Sequence, residues 1–350
     1  MHVLHLIDAM EGGNAKQLHW LATRGAGEHH VVSMAPVGKK TRREWAERGI
    51  PVYEARKRFA YDPFLTTRLL LLAGKIRPER VHVWGVDGLR EGLFCARFCG
   101  AQTVATLRHA DPWKTFSSGP FAKYDFLVAN NAGVRRFYES RSCVGNWSVI
   151  PDAVPEDFPQ REENGGVTVA CVGPMRPWKR WKWAIWSIDS IVRLYPDAKL
   201  LFFGERDGPT EVFARQYERA EIVSFTGSEA NVRALLPQCR MLWCPQSVPG
   251  AGLAMLEAMA AGVPVVATQT DGIHDLLPEN AGWFVPVEGE TIAMAAAAHH
   301  ILTHPEEVRE KTALARAYVR EHFTPEKMVA QYMALFTSQK SSVRPATRES

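Results

Sequence analysis

The sequence lacks any uninterrupted apolar run approaching the roughly 18 residues that a membrane-spanning helix needs. Its longest apolar stretch, Leu69–Gly74, stands between Arg68 and Lys75, which is typical of a buried helix in a globular domain. The chain also begins without a basic segment followed by an apolar one. Met1–Ile7 therefore predicts a first β-strand rather than a signal peptide.

Cysteine is present, but not in a pattern that binds metal or forms a redox pair. The six cysteines include no C-x-x-C pair, and none has the histidine spacing of a zinc site. Cys171 and Cys244 lie in apolar, strand-like runs, where they act as small hydrophobic side chains. This usage is typical of a reducing compartment, so we expect a cytoplasmic protein.

Charge is moderate and unevenly distributed. Charged residues make up 23% and hydrophobic residues 46% of the 350 positions, which predicts a globular chain of two domains. The net charge is +4, of which residues 1–165 carry +5 and the remainder −1. The excess lies mainly in Lys39–Arg43 and Arg56–Phe59, which form either a solvated face or a contact with an anionic lipid surface or acceptor. No nucleic-acid motif accompanies this charge, so we expect no nucleic-acid partner.

Short apolar runs alternate with longer amphipathic segments along the chain, which predicts βαβ units and parallel sheets. A stretch rich in proline, glycine and acids at 151–166 is a predicted linker between two Rossmann-like, doubly wound domains at 1–150 and 167–324. We expect a final helix at 325–338 to pack back on the first domain, followed by a disordered tail at 340–350. Ligands of such sheets bind at the carboxyl ends of the strands, so facing domains would share a cleft.

The same patterns place the individual elements. Strands are predicted at 2–7, 30–35, 51–54, 80–84, 102–107, 125–130, 147–150, 167–172, 198–203, 221–225, 240–244, 264–267 and 282–285. Helices are predicted at 14–25, 63–76, 88–99, 180–195, 209–219, 228–236, 252–262, 290–303, 305–322 and 325–338.

Two turns at the ends of predicted strands offer anion-binding chemistry. Gly12 and Gly13 stand between the first strand and a helix, where adjacent glycines let the backbone approach an anion or simply make a tight turn. Their spacing is not G-x-G-x-x-G, which excludes a dinucleotide fingerprint. In the second half, Gly173 precedes Arg176 and Lys179, whose cations either neutralise a diphosphate or form a solvated basic turn.

Tryptophan is abundant, with 11 residues, and several crowd this basic turn. Three of them cannot share one helical face, so at least one is expected to face the cleft or a partner. They are Trp178, Trp181 and Trp186.

A third segment combines a glycine-rich loop, a helix from Gly252 to Gly262 and a buried strand from Pro264. Glu257 lies in this otherwise apolar helix, and a buried carboxylate needs a partner. A ribose diol presents two hydroxyl donors and would serve, as would backbone N–H groups.

These segments resemble the retaining glycosyltransferases of family 4, the glycosyl transferases group 1, which have the GT-B fold of two facing Rossmann-like domains. The resemblance covers nearly the whole chain and is most specific at Gly252–Ala267, which is similar to the family pattern G-L-x-x-L-E-A-M-A-x-G-x-P-V-V-A. It implies a donor-binding second domain and an acceptor-binding first domain.

The resemblance also implies roles for single residues. Glu257 would hold the ribose of the donor, Lys179 and Arg176 its phosphates, and either Arg108 or His109 would lie near the donor sugar. The glycine loops and the helix start implied for the donor site are Gly12, Gly13, Gly173, Gly252 and Leu253.

The chain departs from the family pattern at two positions. Pro249 stands eight residues before Glu257, where the family usually has a glutamate, and Pro174 stands where an arginine is common. Arg176 is our candidate to replace that arginine. Asp275 and Asp152 also differ from the glutamate and asparagine that are frequent at their positions.

The resemblance implies transfer of a sugar from a nucleoside-diphosphate sugar to an acceptor, with retention at the anomeric carbon. The acceptor would be a glycolipid, a polysaccharide or a small molecule. No D-x-D occurs in the chain, so we expect neither a metal nor another cofactor. Because of Pro249 and Pro174, the alternative is a catalytically impaired GT-B protein that binds nucleotide or serves as a partner subunit.

Overall fold

The computed structural model describes residues 1–56, 62–112, 117–162, 166–204, 208–216, 221–227, 232–250 and 252–338. It contains two parallel sheets, each covered by helices on both faces. This arrangement confirms the predicted α/β class. The predicted tail at 340–350 and part of the basic run, residues 57–59, lie outside the described residues.

The first domain is built on seven strands. They are β1 His2–Ile7, β2 Glu28–Ser33, β3 Val52–Glu54, β4 Arg80–Trp84, β5 Gln102–Leu107, β6 Phe126–Ala129 and β7 Trp147–Val149. The helices are α1 Gly12–Arg24, α2 Lys39–Ala46, α3 Pro63–Ile76, α4 Leu89–Cys99 and α5 Ala132–Glu139. The strand order is β3-β2-β1-β4-β5-β6-β7, so the order reverses between β1 and β4.

The second domain repeats this order with six strands. They are β8 Thr168–Val172, β9 Lys199–Phe203, β10 Val223–Phe225, β11 Met241–Cys244, β12 Val265–Thr268 and β13 Trp283–Val285. The helices are α6 Trp181–Val192, α7 Gly208–Gln216, α8 Val232–Leu235, α9 Gly252–Ala261, α10 Glu290–Thr303 and α11 Pro305–His322. The order β10-β9-β8-β11-β12-β13 reverses between β8 and β11.

Sequence patterns placed most of these elements closely. The predicted helices at 209–219 and 228–236 lie partly outside the described residues, and two other elements need correction. Strand β2 begins at Glu28 rather than 30, because its backbone pairs with β1 in a register that joins His2 to Glu28. The basic run at 39–43 belongs to helix α2, which the patterns did not predict since its exposed face carries almost only charged residues.

The chain crosses between the domains twice, and the two crossings lie side by side. The first follows β7 and buries Ala153 and Val154; the second joins α11 to α12, Pro325–Thr337. The Val154 amide donates to the Phe323 carbonyl at 2.9 Å, which ties the crossings together. Helix α12 then packs against α1 and the first sheet through Met328, Tyr332 and Phe336.

A layer of buried imidazoles lies in the first sheet, on the side that α1 and α12 cover. Trp84 Nε1 donates to His5 Nδ1 at 3.4 Å, so the other nitrogen of the neutral His5 ring donates to His29 Nδ1 at 2.9 Å. His82 contacts Thr106 Oγ1 at 2.8 Å, and this hydroxyl is 3.0 Å from the Tyr332 hydroxyl of α12. Burial lowers the pKa of His29 to about 4 and that of His82 to about 3.

This layer should make the protein sensitive to acid. As pH falls, these imidazoles gain a proton in the unfolded chain, where their pKa is about 6.5, before they do so in the folded protein. The free energy of unfolding should therefore fall as pH drops below about 6.5. At pH 5 the loss should be roughly 2 kcal/mol for each such ring. We expect His82→Gln to reduce this pH dependence in urea unfolding, whereas the exposed control His322→Gln should keep it. If the free energy of unfolding depended equally on pH in wild type, His82→Gln and His322→Gln, the buried imidazoles would not be its cause.

Candidate active site

The reversal of strand order in the second sheet brings together the carboxyl ends of β8 and β11, where doubly wound sheets bind ligands. Lys179 lies just beyond β8 and Gln246 just beyond β11. The amide of Ser247 donates to the carbonyl of Trp178 at 2.9 Å and joins the two loops. This edge of the sheet therefore holds a lysine, an amide and an indole in one place.

Lys179 is buried although it is charged, with only 7% of its surface exposed. Its Nζ lies 3.3 Å from Gln246 Oε1 and 5.0 Å from the centre of the Trp178 ring. Gly173 makes this position accessible. Its φ is +122°, and a Cβ there would come within 3.3 Å of Lys179 Nζ. Glycine is required here for the backbone angle and for the passage of the lysine side chain.

Two further donors accompany the ammonium group. Because the lysine can only donate, it fixes the Gln246 oxygen toward itself and leaves the amide nitrogen facing elsewhere. Within the described part of the chain, that nitrogen and the Trp178 Nε1 are buried with no hydrogen-bond acceptor. Buried donors without acceptors are costly. The site is therefore chemically matched to an anion or to a group rich in acceptors.

Arg176 behaves differently from Lys179, although both were predicted to bind phosphate. Its backbone begins the short turn before Lys179, and its side chain is exposed. Of the two cations, the structure buries only Lys179 against the Gln246 loop. That Arg176 replaces the family's arginine stays a prediction.

The first domain faces this edge with its glycine turn. Gly12 has φ +72°, and α1 begins there. A Cβ at Gly13 would lie 2.5 Å from Arg108 Nη1, so the second glycine makes room for the guanidinium. Arg108 donates to both carboxylate oxygens of Asp152 at 2.6 Å and to Asn14 Oδ1 at 3.2 Å. The turn is thus packed against a buried ion pair.

The same ion pair touches the start of α9 in the second domain. A Cβ at Gly252 would lie 3.0 Å from Asp152 Oδ2 and 3.0 Å from Asn130 Nδ2. Asn130 Nδ2 itself donates to Asp152 at 3.1 Å. Glycine at position 252 therefore favours the close approach of the domains. Leu253 follows it as a half-buried residue.

Glu257 has the buried setting that the sequence predicts, with 5% of its surface exposed. Its Oε1 lies 2.7 Å from Lys16 Nζ, and Lys16 belongs to α1 of the first domain. The pair joins the two sides of the cleft. The ribose-binding role of Glu257 stays a prediction, and Lys16 is a second cation of the cleft that the sequence patterns did not single out.

His109 lies where the domains meet. Its ring stacks on Trp178 of the second domain with centroids 5.8 Å apart, so Trp178 is one of the tryptophans that face the cleft. Gly250, with φ +130°, would place a Cβ 2.7 Å from His109 Cα. The next amide, of Ala110, donates to the carbonyl of Pro249 at 3.1 Å. The backbone of Pro249 therefore fastens its loop to the first domain.

A small pocket opens beside these residues at the carboxyl ends of β4 and β5. Its polar lining comes from Arg108, His109, Asp111 and Tyr138. The Tyr138 hydroxyl donates to the His109 carbonyl at 3.1 Å, and burial raises the pKa of this phenol. The pocket lies on the first-domain side of the cleft.

Residues that could share a metal ion lie elsewhere. In the described part of the chain, the His, Cys and carboxylate side chains close enough for one ion are those of His2, Glu28 and His30. His2 and Glu28 begin β1 and β2, so this group lies near the amino ends of the strands, opposite the cleft.

A match to a known family covers the second domain. Residues 166–304 match the profile described as glycosyl transferases group 1. The second domain belongs to the group 1 glycosyltransferases. The matched region includes Lys179, Gln246, Gly252 and Glu257.

Two curated relatives match over a similar range. The chain is 33% identical to the N-acetyl-alpha-D-glucosaminyl L-malate synthase of Bacillus anthracis over 144 residues, which are 40% of this chain and 37% of that protein. It is 29% identical over 164 residues, 45% of this chain and 41% of the relative, to a GDP-mannose-dependent alpha-(1-6)-phosphatidylinositol dimannoside mannosyltransferase of Mycobacterium tuberculosis. The chain thus spans about two fifths of the length of these relatives.

Solved structures share the whole architecture. The chain resembles Anabaena Alr3699/HepE, crystallised with UDP and glucose, with a TM-score of 0.82 at 16% identity. The match covers 97% of this chain and 100% of that one. This likeness confirms the predicted GT-B fold for the group 1 domain and its N-terminal partner.

The sequence patterns did not single out several residues of this cleft. Lys16, Asn14 and Asn130 lie one turn or less beyond a strand or glycine loop, and Gln246 follows β11 by two residues. The carboxyl-end rule for strands could have found Asn130 and Gln246. Lys16 could not be found, since its partner Glu257 is 241 positions away.

A second contact between the domains lies at the start of α5. A Cβ at Gly133 would overlap the carbonyl oxygen of Asp271. Arg136 donates to both Asp271 oxygens at 2.9 and 2.6 Å, and the Ala132 amide donates to Asp275 Oδ2 at 3.2 Å. Asp275 thus serves a domain contact here.

Gly133→Ala should force these domains apart. The added methyl group meets backbone rather than a flexible side chain, so we expect a loss of about 1–3 kcal/mol in closed-state stability. Small-angle scattering should show a larger radius of gyration, and the melting temperature should fall. The control Gly166→Ala, which adds a methyl group in open space, should change neither. An unchanged radius for Gly133→Ala would contradict the close approach at Asp271.

Proposed function

We propose that this chain transfers a sugar from a nucleoside-diphosphate sugar to an acceptor, with retention at the anomeric carbon and without a metal ion. The observation that carries the proposal is the group of buried donors at the edge of the second sheet, formed by Lys179, Gln246 and Trp178. Together they offer an ammonium, an amide and an indole N–H to the acceptor oxygens of a diphosphate.

The catalytic effect follows from where charge develops. As the bond between sugar and diphosphate breaks, negative charge grows on the leaving phosphate oxygens. Lys179 is held beside them by burial and by its contacts to Gln246 and Trp178, so it is preorganised for this charge. The amino end of α9, at Gly252 and Leu253, adds the positive end of a helix dipole from the same domain. We assign Arg176 to the donor phosphates as well.

The first domain supplies the acceptor side. The pocket beside Arg108, His109 and Tyr138 opens at the carboxyl ends of its strands and faces the donor site. His109 is placed by its stack on Trp178, which makes it our candidate for contact with the donor sugar. Gly12 and Gly13 bring the start of α1 toward the donor, and Glu257 is assigned to its ribose.

The relatives support the substrate class. The mycobacterial relative is named for GDP-mannose and a phosphatidylinositol dimannoside, and the structural neighbour HepE was crystallised with UDP and glucose. We therefore propose a nucleotide-sugar donor and an acceptor among glycolipids, polysaccharides and small molecules, in cell-envelope polysaccharide synthesis. All six cysteines are free thiols, which supports a cytoplasmic site of reaction. In the described part of the chain, no helix combines the length and apolarity needed to cross a bilayer.

Phosphate binding tests the donor site directly. Lys179→Ala should weaken binding of a nucleoside diphosphate about ten- to a hundredfold, the range for a hydrogen bond to a charged group, and leave the nucleoside unaffected. Arg176→Ala should act in the same direction. Glu257→Gln is the matched control, because loss of a ribose contact should weaken binding of the nucleoside diphosphate and of the nucleoside by the same factor. Calorimetric titration with UDP, GDP and ADP and their nucleosides gives the comparison. Equal affinities for wild type and Lys179→Ala would remove the lysine from the site.

Turnover tests the reaction itself. Pro249 offers neither a carboxylate nor an N–H to a sugar, so we expect the natural protein to bind nucleotide and transfer sugar slowly. Pro249→Glu should raise turnover or change the preferred sugar, since its carbonyl can still accept from Ala110. Pro249→Ala, which removes the ring without adding charge, should do neither. Donor hydrolysis across several sugar nucleotides is the measurement. Nucleotide binding without any turnover in all three proteins would favour the non-catalytic alternative.

A further inference from the structure

The outward face of α3 and α4 exposes large apolar side chains. Phe64 is 67% exposed, Leu71 65%, Phe94 48% and Phe98 60%. Within the described part of the chain, the exposed aromatic side chains are Phe64, Phe94 and Phe98. Isolated apolar residues on a surface are ordinary, but their concentration on two neighbouring helices marks an interaction surface.

These side chains belong to one continuous surface, which we call the α3–α4 face. The two helices pack side by side. Gly74 of α3 leaves space that Phe98 of α4 occupies, because a Cβ there would lie 3.3 Å from Phe98 Cε1. Phe98 therefore crosses the groove between the helices, and the face extends along both of them.

Cations predominate among the exposed charged side chains of the α3–α4 face. Its exposed cations include Arg68, Lys75 and Arg97. Helix α3 contains no acidic residue, and Glu91, the single carboxylate within α4, is buried. Asp62, which precedes α3, is buried and accepts from the Phe64 and Leu65 amides as its N-cap.

Helix α2, where the sequence placed a basic surface, is different. Most of its cations have a carboxylate within reach, which cancels their charge locally. The pairs are Lys40–Glu44 at 3.9 Å, Arg42–Glu54 at 3.1 Å and Arg43–Glu47 at 2.7 Å. Arg56 also lies 2.6 Å from Glu54. In the described part of the basic run, carboxylates therefore accompany most of the cations.

We propose that the α3–α4 face binds the surface of an anionic membrane, with Phe64, Leu71, Phe94 and Phe98 entering the headgroup boundary and Arg68, Lys75 and Arg97 meeting lipid phosphates. Exposed phenylalanine and leucine among lysine and arginine, without acids, is the composition that binds such a surface. A second copy of this chain is a poor occupant, because a symmetric contact would bring the three cations of one face against those of the other. This membrane contact does not depend on sugar transfer, and the two can be tested separately.

Vesicle binding by the full chain tests this surface. Sedimentation should show binding to vesicles of phosphatidylcholine with about one third phosphatidylglycerol, weaker binding to phosphatidylcholine alone, and loss of binding at high salt. Phe94→Ser with Phe98→Ser removes the apolar contact, and Arg68→Glu with Arg97→Glu reverses the charge. Each double variant should reduce the bound-to-free ratio about tenfold or more. Lys39→Glu with Lys40→Glu makes the same change in net charge on α2 and should have less than about a twofold effect.

The outcomes separate the alternatives. Full binding by the phenylalanine variant would reduce the interaction to diffuse charge and overturn the proposed insertion. Equal losses for the α2 and α3–α4 charge variants would overturn the location. Concentration-dependent dimerisation that the phenylalanine variant abolishes, without vesicle binding, would assign the face to a second copy. Unchanged melting temperatures verify that the variants fold, and nucleotide affinity, measured alongside, reports separately on the proposed sugar transfer.

Discussion

The arrangement of the cleft depends on one buried ion pair, between Arg108 and Asp152. Arg108 extends from the end of β5, and Asp152 lies on the segment that leads into the second domain, with only 3% of its surface exposed. A buried pair of this kind is stable only if its geometry is good and its remaining hydrogen bonds are made. Here the contact is bidentate, and Asn14 and Asn130 satisfy further positions of both partners.

Three glycines allow close packing around this pair and its surroundings. Gly13 makes room for the guanidinium, Gly252 lets the second domain approach the carboxylate, and Gly250 lets its loop lie on His109. A side chain at any of them would displace backbone or a buried charge. The glycine-rich loops therefore shape the domain contact as much as they prepare a surface for ligands.

Much of the architecture could be predicted from the sequence because its signals are local. Helix α3, from Pro63 to Ile76, was predicted with its observed bounds, since Asp62 caps it, proline begins it and its apolar side is continuous. Helix α2 was missed because it buries a single residue, Trp45, and has little apolar periodicity. The second-domain motif around Glu257 carried enough local pattern to place its helix and the strand that follows.

The partners of the site residues were beyond local patterns. Glu257 was expected to need a partner, but the protein supplies Lys16 from another domain. Lys179 and Trp178 were found from their turn, whereas the Gln246 donor beside them depends on which strands are neighbours. Arg176 resembled Lys179 in sequence, yet one is exposed and the other buried. Such differences follow from tertiary packing and charge pairing, which a linear pattern does not contain.

The paired crossings at Val154 and Phe323 have a mechanical consequence. Two chain segments that lie side by side and are hydrogen-bonded to each other define a line that can act as a hinge axis. Rotation about that line leaves both segments nearly undistorted, whereas sliding or twisting the domains would stretch them. Because α12 returns to the first domain, both ends of the described chain belong to that domain. The second domain is therefore the part that would rotate about this axis. Such a rotation would separate the contacts at Lys16, His109 and Gly133 together rather than one by one.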